Sequence, residues 1–409
     1  MRETYGSSPV EARKRHIILD SLRGLAILGI CMANFPEFSL YSFLKPEAAA
    51  AMSTSAADRL VQYLLYFFID GKFYTIFSLL FGIGFSIIIT NVSSRGGNGL
   101  GVFYRRMGVL AIIGFIHLMT LWSGDILMLY ALMGMLLPLF MRLGDRALLG
   151  FGVFFLFLPV VVDSVCEMLG VYPSAAIVRW QWYWCDKYGI TDDNFAYWLR
   201  DSQSYGDVFK FLIQGAIVRM QEFVDGNRYF KVLGLFLIGY YVGRNRFYAN
   251  LEALRPALRR IFRYGLCIGW PLTAIYSWSC INGHPLGEGV HSLFYFSSVY
   301  LTSFGYIAGI VLLYLKYKDI GIWRFFAAPG RMALTNYIGQ SVIGIVLFYG
   351  IGFGIGATVG LIYVEIIAVG VFLFEAIASR GWLSVFRFGP WEWIWRCLTY
   401  GRLFRIKAR

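Results

Sequence analysis

Residues 15–35 read RHIILDSLRGLAILGICMANF. After its basic start (Arg13, Lys14, Arg15) the run is apolar for long enough, at 1.5 Å per residue, to cross a bilayer. Two charges interrupt it near the start, Asp20 and Arg23, and a polar Asn34 stands near its end. A charge inside a spanning helix is costly, so it must pair or face a protein interior. Asp20 and Arg23 are three residues apart on one helical face and can neutralise each other. The helix therefore either carries a structural ion pair or lines a polar site, and the rest of the chain favours the polar site.

The composition fits that opening. Of the 409 residues, 58% are hydrophobic and only 15% charged, and the mean hydropathy is +0.60. Long apolar runs separated by short basic loops indicate an all-α polytopic membrane protein. The net charge of +13 sits mainly in those loops, where it sets topology and does not point to nucleic acid. The N-terminal arm leads into a full-length span without a small-residue cleavage site, which argues against a cleaved signal. Six cysteines lack CxxC or Cys/His spacing, so no metal is expected. Cys166, Cys185 and Cys280 fall near one side, where a disulfide is compatible with the sequence.

About ten spans are expected, at roughly 17–35, 73–91, 104–122, 125–141, 147–170, 229–243, 264–280, 292–315, 332–350 and 355–378. With the N-terminus inside, the inner segments hold 26 of the 37 Lys and Arg; the outer segments hold nine, most of them in one long loop. Both termini are thus expected in the cytoplasm. The chain divides into a cytoplasmic arm (1–16), a five-helix half with the candidate site (17–170), an outer loop (171–228), a second five-helix half (229–378) and a basic cytoplasmic tail (379–409). Residues 60–69 precede a break at Asp70-Gly71-Lys72 and read as an interfacial or re-entrant helix. In the outer loop, Phe209, Leu212, Ile213, Ala216, Ile217 and Met220 follow helical spacing, as in a helix on the outer face or capping the bundle.

Polar residues converge near the outer ends of the first spans. Asn34 ends the first, Asp70 and Lys72 mark the entrance of the second, and Asp125 opens the fourth. His117 is the one histidine of four placed inside an expected span. An imidazole there can act as a general base if a carboxylate orients its other nitrogen, and Asp125 and Asp70 are the candidates. At the inner ends lie Arg23, Arg105 and Arg106, whose guanidinium groups suit a phosphorylated ligand, although positive-inside anchoring also explains the latter pair. Asn336 and Gln340, one turn apart, are suited to hydrogen bonds across the bundle. Glu365 and Glu375 are intramembrane acids and so candidates for functional positions, with reach to the inner interface as the alternative for Glu375. Gly82 and Gly84 permit close helix approach.

The stretches LDSLRGLAILGICMANF, DGKFYTIFSLLFGIGFS, GFIHLMTLWSGDILMLYALMG, GRMALTNYIGQS and FRFGPWEWIWRCLTYG resemble, in order, the YeiB-like membrane proteins. The C-terminal half of that family is known as domain of unknown function 418. The opening LDSLRGLAI also resembles the first span of the integral-membrane acyltransferase superfamily, which includes acyltransferase-3 and heparan-glucosaminide N-acetyltransferase proteins. The resemblance implies transfer of an acyl group, usually acetyl, from cytoplasmic acyl-CoA to an acceptor on the far side. Acyltransferase-3 proteins carry a basic residue and, after ten intervening residues, an essential histidine. Here that spacing joins Arg23 to Asn34, so the histidine is absent, but it recurs from Arg106 to His117. Eleven residues of helix rise about 16 Å, roughly half the hydrocarbon thickness.

The expectation is therefore a bacterial inner-membrane acyltransferase. His117 would be the base and Asp125 or Asp70 its orienter; Asn34, Lys72 and Trp122 would contact substrate. Arg23, Arg106 and Arg105 would hold the acyl-CoA phosphates, with Asp20, Asn336, Gln340 and Glu365 as structural polar groups. The acceptor would be a glycan, lipid or small metabolite, and the resemblance makes a homodimer the assembly to test. A small-molecule transporter with midplane polar residues, or a non-catalytic membrane scaffold, are the rival classes.

Overall fold

A computed structural model describes residues 16–94 and 97–408. Residues 1–15 of the expected cytoplasmic arm, with Arg13, Lys14 and Arg15, lie outside the described residues. Among those residues the chain is helical, with one isolated antiparallel bridge between Phe386 and Lys407.

The helices run α1 (Ile17–Phe38), α2 (Pro46–Ala50), α3 (Ser55–Phe68), α4 (Lys72–Ser93), α5 (Gly99–Thr120), α6 (Leu127–Leu136), α7 (Asp145–Leu169), α8 (Ala175–Tyr188) and α9 (Trp198–Asp201). They continue with α10 (Tyr205–Asp225), α11 (Arg228–Arg244), α12 (Arg255–Ile281), α13 (Glu288–Lys316), α14 (Ile322–Arg331), α15 (Ala333–Phe348), α16 (Leu361–Val385) and α17 (Pro390–Tyr400). Local chemistry sets many boundaries. Asn98 caps α5 by accepting from the Gly101 N–H at 2.8 Å. α7 stops at Gly170, which takes the left-handed conformation (φ 61°). Pro390 opens α17, and Gly401 at φ 64° closes it.

Six stretches are long and apolar enough to cross a membrane: α1, Ser55–Val92, α5, α7, α13 and α16. They make this a multi-pass membrane protein. The other four expected spans fall on α6, α11, α12 and α15, which are helical but shorter or more polar. α11 has 17 residues and is buried over most of its length, and α12 carries Arg255, Arg259, Arg260 and Arg263 in its first turns. The outward faces of α5 (Ile112, Phe115, Ile116), α7 (Phe151, Phe154, Phe157, Val161) and α16 (Ile366, Leu373, Phe374, Ile377) expose large apolar side chains. Water would not tolerate such continuous faces; lipid does.

α1 is the central element, packed against α4, α14, α15 and α16. It approaches α14 closely because Gly24 and Gly330 leave no Cβ between the two backbones. α4 packs on α11 in the same manner through Gly82, where a Cβ would collide with the Phe236 carbonyl and Gly239. Gly84 has open space beside it and faces the interior cavity. The expected break at residues 70–72 is present: Gly71 at φ 70° separates α3 from α4. The expected helix in the outer loop is α10. Its buried face includes Leu212 and Ile217, whereas Phe209 and Met220 are exposed. All six cysteines are free thiols. The tail beyond residue 378 is largely folded: α16 runs on to Val385, and α17 packs on α5 and α15.

Candidate functional site

The bundle encloses a cavity of about 880 Å³ that follows one face of α1 from Asp20 to Glu37. Those two residues are about 25 Å apart along the helix. Arg23, Ile27, Ile30 and Asn34 lie on the same face, because positions three and four apart stack on one side.

One end is rich in arginine. Arg23, Arg106, Arg331 and Arg396 line it, with Asp20 and Glu392. Arg23 donates to Asp20 at 2.8 Å. The Arg106 guanidinium stacks 3.5 Å from the centre of the Trp395 ring, whose indole N–H donates to the Arg106 carbonyl at 2.9 Å. Glu392 accepts from the Leu334 N–H at 2.7 Å and the Thr335 hydroxyl at 2.6 Å, which ties α17 to α15. Arg105 does not line the cavity; it donates to the Thr399 carbonyl at 3.4 Å and holds α17 in place.

The opposite end mixes charges: Glu37, Asp70, Arg219, Glu222, Arg228, Lys231 and His291. Glu222 pairs with Arg219 and lies 3.5 Å from Arg228. Glu37 shares the field of these three groups. Asp70 accepts from the Tyr276 hydroxyl at 2.5 Å. Lys231 lies over the Tyr295 ring at 4.0 Å. Lys72 turns away from the cavity and is fully buried, donating to the Tyr66 carbonyl at 2.6 Å.

His117 forms a second constellation behind the cavity wall. Its Nδ1 lies 3.0 Å from Asp125 Oδ1, facing it without the alignment of a full hydrogen bond. Its Nε2 lies 2.8 Å from Ser341 Oγ. With the proton on Nδ1, Nε2 accepts from the serine hydroxyl. Asp125 Oδ2 accepts from the Met128 N–H at 2.8 Å and fixes the start of α6. The arrangement has the order of a nucleophile, a base and an orienting acid. Yet His117, Asp125 and Ser341 are only 2%, 1% and 0% exposed and do not line the cavity. Tyr337 stands between, its ring 5.1 Å from the imidazole and on the cavity wall. Trp122 also sits in this wall, packed on Phe38 at 4.4 Å, and does not reach the cavity.

The structure thus brings Arg23, Asn34, Asp70, Arg106 and Gln340 to one cavity and gathers His117, Asp125 and Trp122 beside it. Asp70 is apart from His117, so Asp125 alone faces the imidazole. Asn336 donates to Ser379 at 3.0 Å and Gln340 to Glu375 at 2.8 Å, each crossing from α15 to α16. Glu365 is buried with no hydrogen-bond partner for either oxygen. Sequence reasoning missed Glu37, Arg219, Glu222, Arg228, Lys231, His291, Glu392 and Arg396. Four of these sit on α10 or at the start of α11, one at the first turn of α13 and two on α17, segments read as loop, boundary or tail. Glu37 continues the Asp20–Arg23–Asn34 face at helical spacing, a signal that was available.

Fold and cavity together define a multi-pass helical membrane protein whose bundle holds a cavity with charged ends and a largely apolar middle. A family model described as a protein of unknown function (DUF418) matches residues 242–402. The chain is 30% identical to the uncharacterized protein YxaH of Bacillus subtilis, over 96% of each chain. It is 28% identical to the uncharacterized protein YeiB of Escherichia coli, over 94% of this chain and 96% of that one. The chain belongs to this YeiB-like DUF418 family. No solved structure matches it.

Proposed function

We propose that this protein transfers an acyl group across the bilayer, from acyl-CoA at the arginine end of the cavity to a hydroxyl or amine acceptor at the other end. The observation that carries this reading is the cavity itself, which joins an end lined by four arginines to an end of mixed charge that carries Glu37, Asp70 and Glu222 beside Arg219, Arg228 and Lys231, along α1. Arginines bind phosphate oxygens through directed pairs of donors, which suits the pyrophosphate of CoA. The pantetheine arm would extend along the Ile27–Asn34 face and carry the thioester toward Glu37. There a carboxylate takes the acceptor's proton, the acceptor oxygen or nitrogen forms the new bond to the acyl carbon, and the CoA thiolate leaves and is protonated. In this reading Glu37 is the base that meets the acceptor, and the Asp125–His117–Ser341 group holds the Tyr337 wall. In this reading the chain crosses a bacterial inner membrane ten times with both termini and the arginine end in the cytoplasm, an orientation that the positive-inside rule supports. A glycan, a lipid headgroup or a small metabolite fits the acceptor end.

The test is acyl-CoA binding and slow hydrolysis by purified protein. Arg23→Ala should lose binding; Glu37→Gln should keep binding and lose hydrolysis; His117→Ala should keep both. Hydrolysis lost with His117→Ala and kept with Glu37→Gln would return the base role to His117. Wild-type protein that binds no acyl-CoA would overturn the transferase reading. Glu365, buried without a partner on α16, favours a second reading as a proton-coupled transporter. Solute uptake into proteoliposomes driven by a pH gradient, lost in Glu365→Gln, would select it.

A further inference from the structure

At the mixed-charge end, Cys280 closes α12, His284 sits in the following turn, and His291 lies in the first turn of α13. In sequence they form C-x3-H-x6-H, which has no familiar metal-site spacing. Folding of the α12–α13 hairpin changes that: one ligand atom from each side chain lies within 4.8 Å of the others. His284 is held there by a left-handed backbone (φ 56°), unusual for a residue with a side chain, and its N–H donates to the Ser279 carbonyl at 3.0 Å. The two imidazoles stack with centroids 3.8 Å apart.

We infer that Cys280, His284 and His291 form a binding site for a zinc-type transition-metal ion. A thiolate and two imidazoles are a ligand set that suits tetrahedral Zn2+. Coordination at zinc distances would draw the three atoms to about 3.5 Å from one another, within reach of side-chain movement. Two independent observations point to a ligand. His284 Nδ1 lies 2.9 Å from Glu288 Oε1, the carboxylate–histidine arrangement that fixes a tautomer and leaves Nε2 for the ion. His291 Nδ1 is buried with no hydrogen-bond partner, a cost that a bound ion or a rotated ring would remove. The nearby ammonium groups are engaged elsewhere, Lys72 at the Tyr66 carbonyl and Lys231 over the Tyr295 ring. Three protein ligands leave a position for water or a substrate atom, and His291 lines the cavity. The site stands whether the cavity serves acyl transfer or transport.

Full-length protein in detergent, stripped with chelator and dialysed against Zn2+, should retain zinc by elemental analysis. Co2+ in its place should show the intense thiolate-to-metal charge-transfer band and tetrahedral ligand-field bands. Cys280→Ser should abolish the thiolate band, His291→Ala should lose zinc retention, and Glu288→Gln should weaken affinity about 10- to 100-fold. Size-exclusion profiles of the zinc-free variants control for misfolding, and the wild-type cobalt spectrum is independent of every variant. Wild-type protein that retains no zinc, or Cys280→Ser protein with an unchanged cobalt spectrum, would overturn the inference.

Discussion

His117 and Lys72 show how far a residue's chemistry and its address can part. Both are polar groups inside the bundle, and both are used up locally: the imidazole between Asp125 and Ser341, the ammonium on the Tyr66 carbonyl. Arg105 and Arg106 part in the same way, since adjacent helix positions point about 100° apart. Arg106 reaches the cavity and Arg105 reaches α17. Because the Ser341 hydroxyl is fully buried, Ser341→Ala leaves His117 Nε2 without its partner, a cost of about 1–3 kcal/mol. A lowered thermal midpoint in detergent is the expected result. Ser297→Ala, which removes a hydroxyl bonded only within its own helix, should leave the midpoint unchanged.

At the scale of elements, helix contacts are decided by where a Cβ is missing. α1 against α14 and α4 against α11 approach closely at Gly24, Gly330, Gly82 and Gly239, where any side chain would meet backbone. Backbone cannot rotate aside as a side chain can, so overpacking here costs about 1–3 kcal/mol or more. Gly82→Ala should therefore lower the yield and thermal midpoint of folded protein. Gly84→Ala, two residues on, faces open space and should be neutral or slightly stabilising through its better helix propensity. An equal loss from both substitutions would count against close α4–α11 packing. The sequence marked both glycines for close approach, but the spacing of two residues puts them on different faces and only one meets α11.

At the scale of the whole molecule, charge and cavity share one axis. The arginine end of the cavity, the basic start of α12 and the folded basic tail are the regions that the positive-inside rule assigns to the cytoplasm. A fluorescent protein fused after Arg409 should therefore be bright, and an alkaline phosphatase fusion at the same position inactive. The reverse pattern would place the arginine end outside and remove the acyl-CoA reading with it. Six stretches satisfy the length and apolarity of a span, whereas α6, α11, α12 and α15 are shorter or more polar. α11 is buried along most of its length, among the other helices of the bundle.

The sequence alone determined the class of this protein: long apolar runs admit only helices in lipid, because every backbone N–H and C=O must be satisfied within the segment. It also determined that Asp20, Arg23 and Asn34 share the face of one helix, since that follows from helical periodicity. Only the tertiary structure decided which polar groups meet. The Asp125–His117–Ser341 line joins residues 224 positions apart, and the Cys280–His284–His291 cluster needs a turn with two left-handed residues in succession, Gly283 and His284. Periodicity fixes direction around a single helix axis, whereas a site depends on how separate axes pack, and that is set by close backbone contacts such as Gly24 against α14.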